Sequence, residues 1–360
     1  LARRALWDKL ITTPGSAQPC ASQISSSLQQ ADHPWPLVTV AVCTRDRPTP
    51  LADCLAALSS LDYPALDLLV VDNAPSTPAT AHLVRRHYPH VRYVCEPTPG
   101  LNWARNRAIA EARGDLLAYT DDDVIVDAHW VRALARVFAE QAEVMAVTGL
   151  VVPYELETEA QQLFERYGGF GRGFEPRTYR VDRNGRTQDL FHIHPGKFGT
   201  GANMAYRRSV FAHIGPFDPA LDVGTVTNGG GDLEMFFRVL QAGHALAYEP
   251  SALVRHRHRR DYAQLRIQIA NNGIGFYAYL VCSALHYRDE RWALARLGLW
   301  WLWWGNIRRL LISLRQPERF PRDLIVAELW GSLRGLGRYQ QACRAGASIG
   351  PVGAVEGASR

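Results

Sequence analysis

Leu116-Leu117-Ala118-Tyr119-Thr120-Asp121-Asp122-Asp123-Val124-Ile125-Val126 sets an apolar run directly against three consecutive aspartates. The apolar half reads as a buried strand, with the aspartates at its carboxyl end. Each carboxylate raises the cost of ionising the next. A fold tolerates such a cluster cheaply when a cation neutralises it or when water surrounds it. Oxygen ligands in alternation suit a hard divalent ion, Mg²⁺ or Mn²⁺, which binds few protein carboxylates and keeps positions open for substrate phosphates. A solvated acidic turn fits the triplet alone equally well, because aspartate also favours turns and helix N-caps. The rest of the chain separates the two.

Upstream, Leu37 to Cys43 is a continuous β-rich run of the kind buried on both faces of a parallel sheet. Leu51, Cys54, Leu55 and Leu58 follow at helical spacing, between Pro50 and Ser60. Leu68 to Asp72 reads as a second strand, Thr77 to Tyr88 as a second helix, and Val91 to Val94 as a third strand. Leu101 to Ala112 reads as a third helix, with Gly114 as its C-cap. Strands alternating with helices at short intervals predict βαβ units and an α/β, doubly wound, mostly parallel sheet flanked by helices. Ligands of such sheets bind at the carboxyl ends of the strands. Arg45-Asp46, Asp72-Asn73 and the aspartate triplet all lie at strand carboxyl ends, so three polar clusters far apart in sequence are expected on one rim.

Downstream, a helix is expected near 130–140 and a strand near 144–152. Residues 153–198 carry weak periodicity and read as an insertion or lid. Gly229-Gly230-Gly231-Asp232 opens a strong helix over 233–242, and the glycines are expected to let backbone approach substrate closely. Residues 261–345 read as a helical extension dense in Trp, Leu and Arg, residues 1–36 as a loose lead-in, and residues 346–360 as a disordered tail.

Over 360 residues, 47% hydrophobic and 21% charged content describe a chain able to bury a core. The net charge of +5 is mild, with basic residues concentrated in Arg255 to Arg260 and from Arg291 to Arg338. That distribution suits a phosphorylated ligand or an anionic membrane surface. No Lys/Arg stripe interleaved with aromatics marks a nucleic-acid motif, so nucleic acid is not an expected partner. Six cysteines without metal-ligand spacing point to a reducing compartment. No basic-then-apolar leader pattern precedes residue 37, and no apolar run reaches the roughly eighteen residues of a membrane span. The expected location is cytoplasmic.

Five fragments now stand in order: Cys43-Thr44-Arg45-Asp46-Arg47-Pro48, Val70-Val71-Asp72-Asn73, Gly100 to Asn106, Thr120 to Val124, and Gly230-Gly231-Asp232-Leu233-Glu234. Together they resemble the family 2 glycosyltransferases, inverting sugar transferases of the GT-A fold, over residues 37–260. The resemblance implies a catalytic domain over 37–260, with a nucleotide-sugar half at about 37–125 and an acceptor half at about 126–260. By similarity, Thr44, Arg45 and Asp72 hold the base and ribose, and Arg105 grips phosphate through its guanidinium fork. Asp121 and Asp123 match the outer carboxylates of the family's Asp-x-Asp motif: Asp123 on metal, Asp121 on metal or ribose. Asp122 stays an alternative through a one-residue register shift. His256, after Ala252-Leu253-Val254, matches a third Mn²⁺ or Mg²⁺ ligand, with His258 a weaker candidate on the same face. Asn203 is expected to line the sugar or acceptor site.

Asp232 is the implied general base, taking the acceptor hydroxyl's proton as oxygen attacks the anomeric carbon. The family usually has Glu-Asp where this chain has Gly231-Asp232, and Glu234 could share the acidic role. A plain N-cap also fits Asp232. The expected partners are a nucleotide-diphosphate sugar and a glycan or lipid-linked acceptor, the context polysaccharide or cell-envelope biosynthesis. Trp300-Trp301-Leu302-Trp303-Trp304, flanked by Arg296, Arg308 and Arg309, fits either a helix packed on the domain or peripheral contact with the inner face of a membrane. Two other functions are weighed. A nucleotidyltransferase would need a Gly-rich loop after the first strand, where Thr44 to Pro48 has no glycine. A non-catalytic glycan- or partner-binding protein would draw support from Gly231 alone.

Overall fold

The computed structural model describes residues 35–181 and 194–347. The expected lead-in up to residue 34, part of the expected lid (182–193) and the tail from 348 lie outside them.

The opening alternation is present: β1 (Val38–Thr44), α1 (Pro48–Leu58), β2 (Leu66–Asn73), α2 (Ala79–His87), β3 (Arg92–Glu96), α3 (Leu101–Glu111) and β4 (Leu116–Asp121). β1 to β4 pair in parallel in the order β3-β2-β1-β4. β1, β2 and β4 are buried over most of their length, as suits strands covered on both faces, whereas the edge strand β3 (Arg92-Tyr93-Val94-Cys95-Glu96) is not. The register places Thr44 opposite Asp72 and Cys43 opposite Asp121, so the three strand ends share one rim.

β5 (Val124–Val126), α4 (Trp130–Glu140), β6 (Val144–Pro153), α5 (Glu159–Arg166), β7 (Arg177–Tyr179), β8 (Asn203–Arg207), α6 (Val210–Ile214), α7 (Gly231–Gln241) and β9 (Ala245–His256) complete a nine-stranded sheet. Here the mostly parallel expectation is corrected to a mixed sheet. β8 runs antiparallel between β4 and β6, β9 runs parallel to β6, and β5 and β7 pair antiparallel with the far edge of β9. The architecture is GT-A-like, with one core cluster between sheet and helices formed by residues such as Leu117, Tyr119, Met204, Tyr206 and Phe236.

Gly114 is not a helix cap. The chain leaves α3 through Ala112 in extended conformation. A Cβ on Gly114 would lie 2.4 Å from the Leu37 carbonyl and 2.6 Å from the Thr39 nitrogen, so glycine is required where β4 enters beside β1. The triple glycine serves a similar end. A Cβ on Gly230, which has φ +98°, would lie 2.6 Å from the Gly275 carbonyl of the next helix. Its backbone approaches protein, where the sequence suggested substrate.

The extension comprises α8 (Tyr262–His286), α9 (Arg291–Trp301), a π-helical turn over Leu302–Ile307, α10 (Arg308–Arg315) and α11 (Arg322–Ala347). Part of it is packed on the domain: Phe276, Tyr279 and Leu280 of α8 cluster with Phe237 of α7 and with Leu294 and Leu297 of α9. Among the described residues, no helix is long and apolar enough to cross a membrane.

Candidate active site

The aspartate triplet divides its labour. β4 ends at Asp121, and Val124 of β5 pairs with His256 at the end of β9. That pairing brings Asp123 to His256, with Oδ1 and Nε2 3.3 Å apart. Ligand atoms of Asp121, Asp123 and His256 all lie within 4.8 Å of one another. Asp122 turns the other way. Its Oδ2 accepts from the Thr44 hydroxyl at 2.7 Å, and its Oδ1 is held by Arg47. Arg47 also donates to Asp123 Oδ2 at 2.9 Å. Asp122 lies outside the cluster that the outer pair forms with His256.

Two carboxylates and one imidazole form a donor set that fits Mn²⁺ or Mg²⁺. The electrostatics agree. Burial, then the neighbouring Asp123, pushes the Asp121 carboxyl up to about 7. Burial lifts Asp122 to about 6 against the pull of Arg47. Burial lowers His256 to about 4, leaving its imidazole neutral and able to ligate. A cleft lined by Arg47, Arg257, Arg259 and Gln264 opens beside Asp123.

Asp232 lies in the first turn of α7, behind an N-cap at Gly230, and its Oδ1 accepts from the Leu233 backbone amide at 2.9 Å. Its Oδ2 accepts from the Gly201 amide at 2.8 Å. A Cβ on Gly201 would lie 2.4 Å from Arg105 Nη2 and 3.3 Å from Asp232 Oδ2, so Gly201 admits the guanidinium beside that carboxylate. Arg105 is buried, donates to Asn102 Oδ1 at 3.2 Å and lies over the Phe217 ring at 5.4 Å. Burial opposes its charge; Asp232 and then Asp121 outweigh that and raise its pKa. Arg105, expected on phosphate, is therefore a buried cation near both acidic centres. Glu234, the second acidic candidate, is buried and engaged by Arg238 one turn on.

Asp72 is fully buried on the same rim. Its Oδ2 accepts from the Tyr93 hydroxyl at 2.9 Å, while Oδ1 has no protein partner. Burial raises its carboxyl above the ordinary range. Arg45 is exposed at the mouth, and neighbouring Asp46, at φ +53°, accepts from the Ser76 amide at 2.8 Å. Thr44 is buried with its hydroxyl committed to Asp122.

Asn203 is corrected. It is fully buried, its amide donates to the carbonyls of Leu150 and Ala252, and its Oδ1 accepts from Trp130 Nε1. Every polar atom is used in bracing β8 against β6, β9 and α4, so it does not line the site.

Three participants escape the sequence reading. Arg47 sat inside a quoted fragment, but nothing in its spacing showed that α1 would aim it at the triplet. Asp222 accepts from the Asn102 amide at 2.7 Å at the start of α3, joining that helix to the loop before α7. Glu165, in the weakly patterned stretch, lies 2.8 Å from His258 Nε2.

Residues 39–215 match the family described as Glycosyl transferase family 2. The chain is 24% identical over 309 residues to a pre-mycofactocin glycosyltransferase of Mycobacterium tuberculosis, covering 81% of this chain and 58% of that one. It thus spans little more than half the length of that relative. It is 26% identical over 273 residues to the succinoglycan biosynthesis protein ExoM of Rhizobium meliloti, covering 72% and 80% respectively. Among solved structures, it is similar to the mannosyltransferase PcManGT of Pyrobaculum calidifontis, in complex with GDP-Man and Mn²⁺, with a TM-score of 0.54 and 17% identity over 88% of this chain and 93% of that one. The ordered strand-end motifs, the GT-A-like sheet and the family match lead to one assignment: residues 39–215 form a glycosyltransferase family 2 domain.

Proposed function

We propose that this protein transfers a sugar from a nucleoside-diphosphate donor to a hydroxyl of a glycan or lipid-linked acceptor, with inversion and with the help of Mn²⁺ or Mg²⁺. The observation that carries the reading is the convergence of Asp121, Asp123 and His256 within 4.8 Å on the rim that also holds Asp72. The structural neighbour solved in complex with GDP-Man and Mn²⁺ supports a nucleotide sugar and a divalent ion. The succinoglycan relative supports a glycan product.

Asp72 Oδ1 accepts a hydrogen bond from the base or ribose, and Arg45 closes the mouth of that subsite. Arg47 and Arg259, in the cleft beside Asp123, face the diphosphate. Asp121, Asp123 and His256 would hold the metal, which supplies positive charge to the leaving diphosphate. Asp232 takes the proton of the acceptor hydroxyl. As that oxygen bonds to the anomeric carbon, the bond from carbon to the diphosphate oxygen breaks, and the diphosphate leaves with the electron pair. Arg105 sets a buried positive charge near both Asp232 and Asp121. A lipid-linked acceptor would be met at an anionic membrane surface at the inner face, a reading supported by the exposed apolar residues of α9 to α11.

Asp232→Asn tests the assignment. Turnover, read as released nucleoside diphosphate, is expected to fall about 10²–10⁴-fold with donor affinity retained. Wild-type turnover in that variant would remove Asp232 from the role. Wild-type protein that binds no nucleoside diphosphate in Mn²⁺ or Mg²⁺ would end the enzyme reading.

A further inference from the structure

We propose that His258 and Glu165 are positioning residues for His256, a hydrogen-bonded chain that fixes its tautomer so that Nε2 carries a lone pair toward Asp123. The inference deepens the metal reading above and rests on it, through residues which that reading leaves without a role.

The geometry is a line of three groups. His256 closes β9, and His258, two residues on, falls on the same side. Their Nδ1 atoms are 3.2 Å apart. His258 Nε2 lies 2.8 Å from Glu165 Oε1. Both rings are clamped. Phe164 packs edge-on against His258 with centroids 4.7 Å apart, and Phe170 packs against His256 at 5.0 Å and His258 at 5.8 Å. The His258 side chain is 1% exposed, so water does not compete for its nitrogens.

Proton accounting then fixes the chain. An ionised carboxylate only accepts, so His258 Nε2 carries the hydrogen that Glu165 receives. A neutral imidazole has one N–H, which leaves His258 Nδ1 bare and able to accept. The donor opposite it is His256 Nδ1–H. The remaining nitrogen, His256 Nε2, is therefore bare, and it points at Asp123 Oδ1 from 3.3 Å. Two lone pairs facing each other at that distance repel unless a cation joins them. The chain thus presents His256 in the protonation state a metal ligand needs, before any metal arrives. Carboxylate-backed imidazoles of this kind orient ligands and raise their basicity.

The turn after α5 is shaped around Glu165. Gly169 has φ +48°, and a Cβ there would lie 2.5 Å from both Glu165 carboxylate oxygens. Any larger residue would displace the carboxylate from His258. The Thr158–Gln161 capping box fixes the start of the same helix, so the position of Glu165 is set from both ends.

The test uses the full chain. In ¹⁵N-histidine NMR at neutral pH without metal, two-bond ¹H–¹⁵N patterns should report His256 as the Nδ1–H tautomer and His258 as the Nε2–H tautomer. His256 found as the Nε2–H form overturns the proposal. In Mn²⁺ titrations followed by electron paramagnetic resonance, His258→Phe should bind about 10–100-fold more weakly than wild type. His258→Asn, whose carbonyl oxygen replaces the Nδ1 acceptor, should recover most of that loss. Equal affinity in wild type and His258→Phe overturns the proposal. Should His258→Phe fail to fold, Glu165→Ala replaces it, with weaker Mn²⁺ binding expected and wild-type affinity overturning the proposal. Wild-type protein that binds no Mn²⁺ would instead sink the metal reading, and the NMR result would still judge the chain of tautomers by itself.

Discussion

Leaving a carboxylate oxygen buried without a partner costs on the order of 1–3 kcal/mol, and Asp72 does this with Oδ1 while Tyr93 holds Oδ2. In the proposed function, a nucleotide donor that reaches Oδ1 recovers that cost. Asp72→Asn is expected to weaken nucleoside-diphosphate binding about tenfold or more, as suits loss of a hydrogen bond to a charged group, with the fold intact. Calorimetric titration with UDP and GDP checks this, and unchanged affinity for both would move the base and ribose elsewhere. Asp222 makes a different prediction, about stability. Burial pushes its carboxyl up to about 7, against the backbone amides that favour its charge. The ordinary aspartate value is about 4. Between those values the folded protein holds a proton that the unfolded chain releases, so this residue's contribution to stability is full below pH 4 and is lost as pH rises to 7. Asp222→Asn keeps an oxygen to accept from the Asn102 amide and removes the titration. Its unfolding midpoint should therefore depend less on pH between 4 and 7 than that of wild type. Parallel curves for the two proteins would contradict the assignment.

The α8–α11 pair is held together by absent side chains. A Cβ on Gly331 would lie 2.0 Å from the Ala270 carbonyl, one on Gly335 2.6 Å from the Ile274 carbonyl, and one on Gly273 2.5 Å from the Glu328 carbonyl. These are backbone atoms that cannot rotate away, so Gly331→Ala is expected to destabilise the protein by about 1–3 kcal/mol, as overpacking does. Gly337, on the same helix, meets nothing within 4 Å. Gly337→Ala should stabilise by about 0.5–1 kcal/mol through helix propensity. Opposite signs from one substitution type on one helix, read by thermal unfolding, check the packing; equal shifts would contradict it. The sequence could show that 322–347 was helical and not where it pressed, because close approach leaves no periodic mark. The same limit explains the other differences. β1, β2, α3, β4 and α4 were legible because each is patterned within itself, and the shared rim followed from strand-end placement alone. Asn203 was misplaced because an amide at the start of a strand looks the same whether it faces a ligand or two neighbouring carbonyls and an indole N–H. Asp121, Asp123 and His256 were legible through family resemblance, whereas Glu165 and Arg47 depend on tertiary contacts with residues about a hundred positions away or seventy-six along the chain. The antiparallel β8 was hidden because strand direction is set by connection path rather than by composition.

On the scale of the whole molecule, charge and apolar exposure are both concentrated at the helical extension. Trp292, Leu299, Trp303, Ile307, Leu311 and Leu314 recur at helical spacing along α9, the π turn and α10, and all are exposed. Val326, Trp330 and Leu333 do the same on α11. Trp292 is 74% exposed and Trp330 60%, unusual for a side chain whose removal from water is so favourable. Exposed Arg296, Arg308, Arg315, Arg322 and Arg334 accompany these stripes, while the exposed acids between Arg291 and Ala347 are Glu318 and Asp323. Trp, Leu and Arg on one helix surface suit the interface of an anionic bilayer, where apolar groups enter the headgroup boundary and guanidinium groups meet phosphate. Lying on the surface also agrees with helices too polar to cross it. The full chain is therefore expected to co-sediment with vesicles of phosphatidylglycerol and phosphatidylcholine, to bind poorly to phosphatidylcholine alone, and to be released by salt as screening grows. Combining Trp303→Ser, Leu311→Ser and Trp330→Ser should lower vesicle binding about tenfold or more, since each removes burial worth on the order of 1.5–3 kcal/mol, while leaving Mn²⁺ and nucleotide binding unchanged. Vesicle binding that survives the triple substitution would place the membrane contact elsewhere. A concentration-dependent dimer that the same substitutions abolish would assign the stripes to a second copy of the chain.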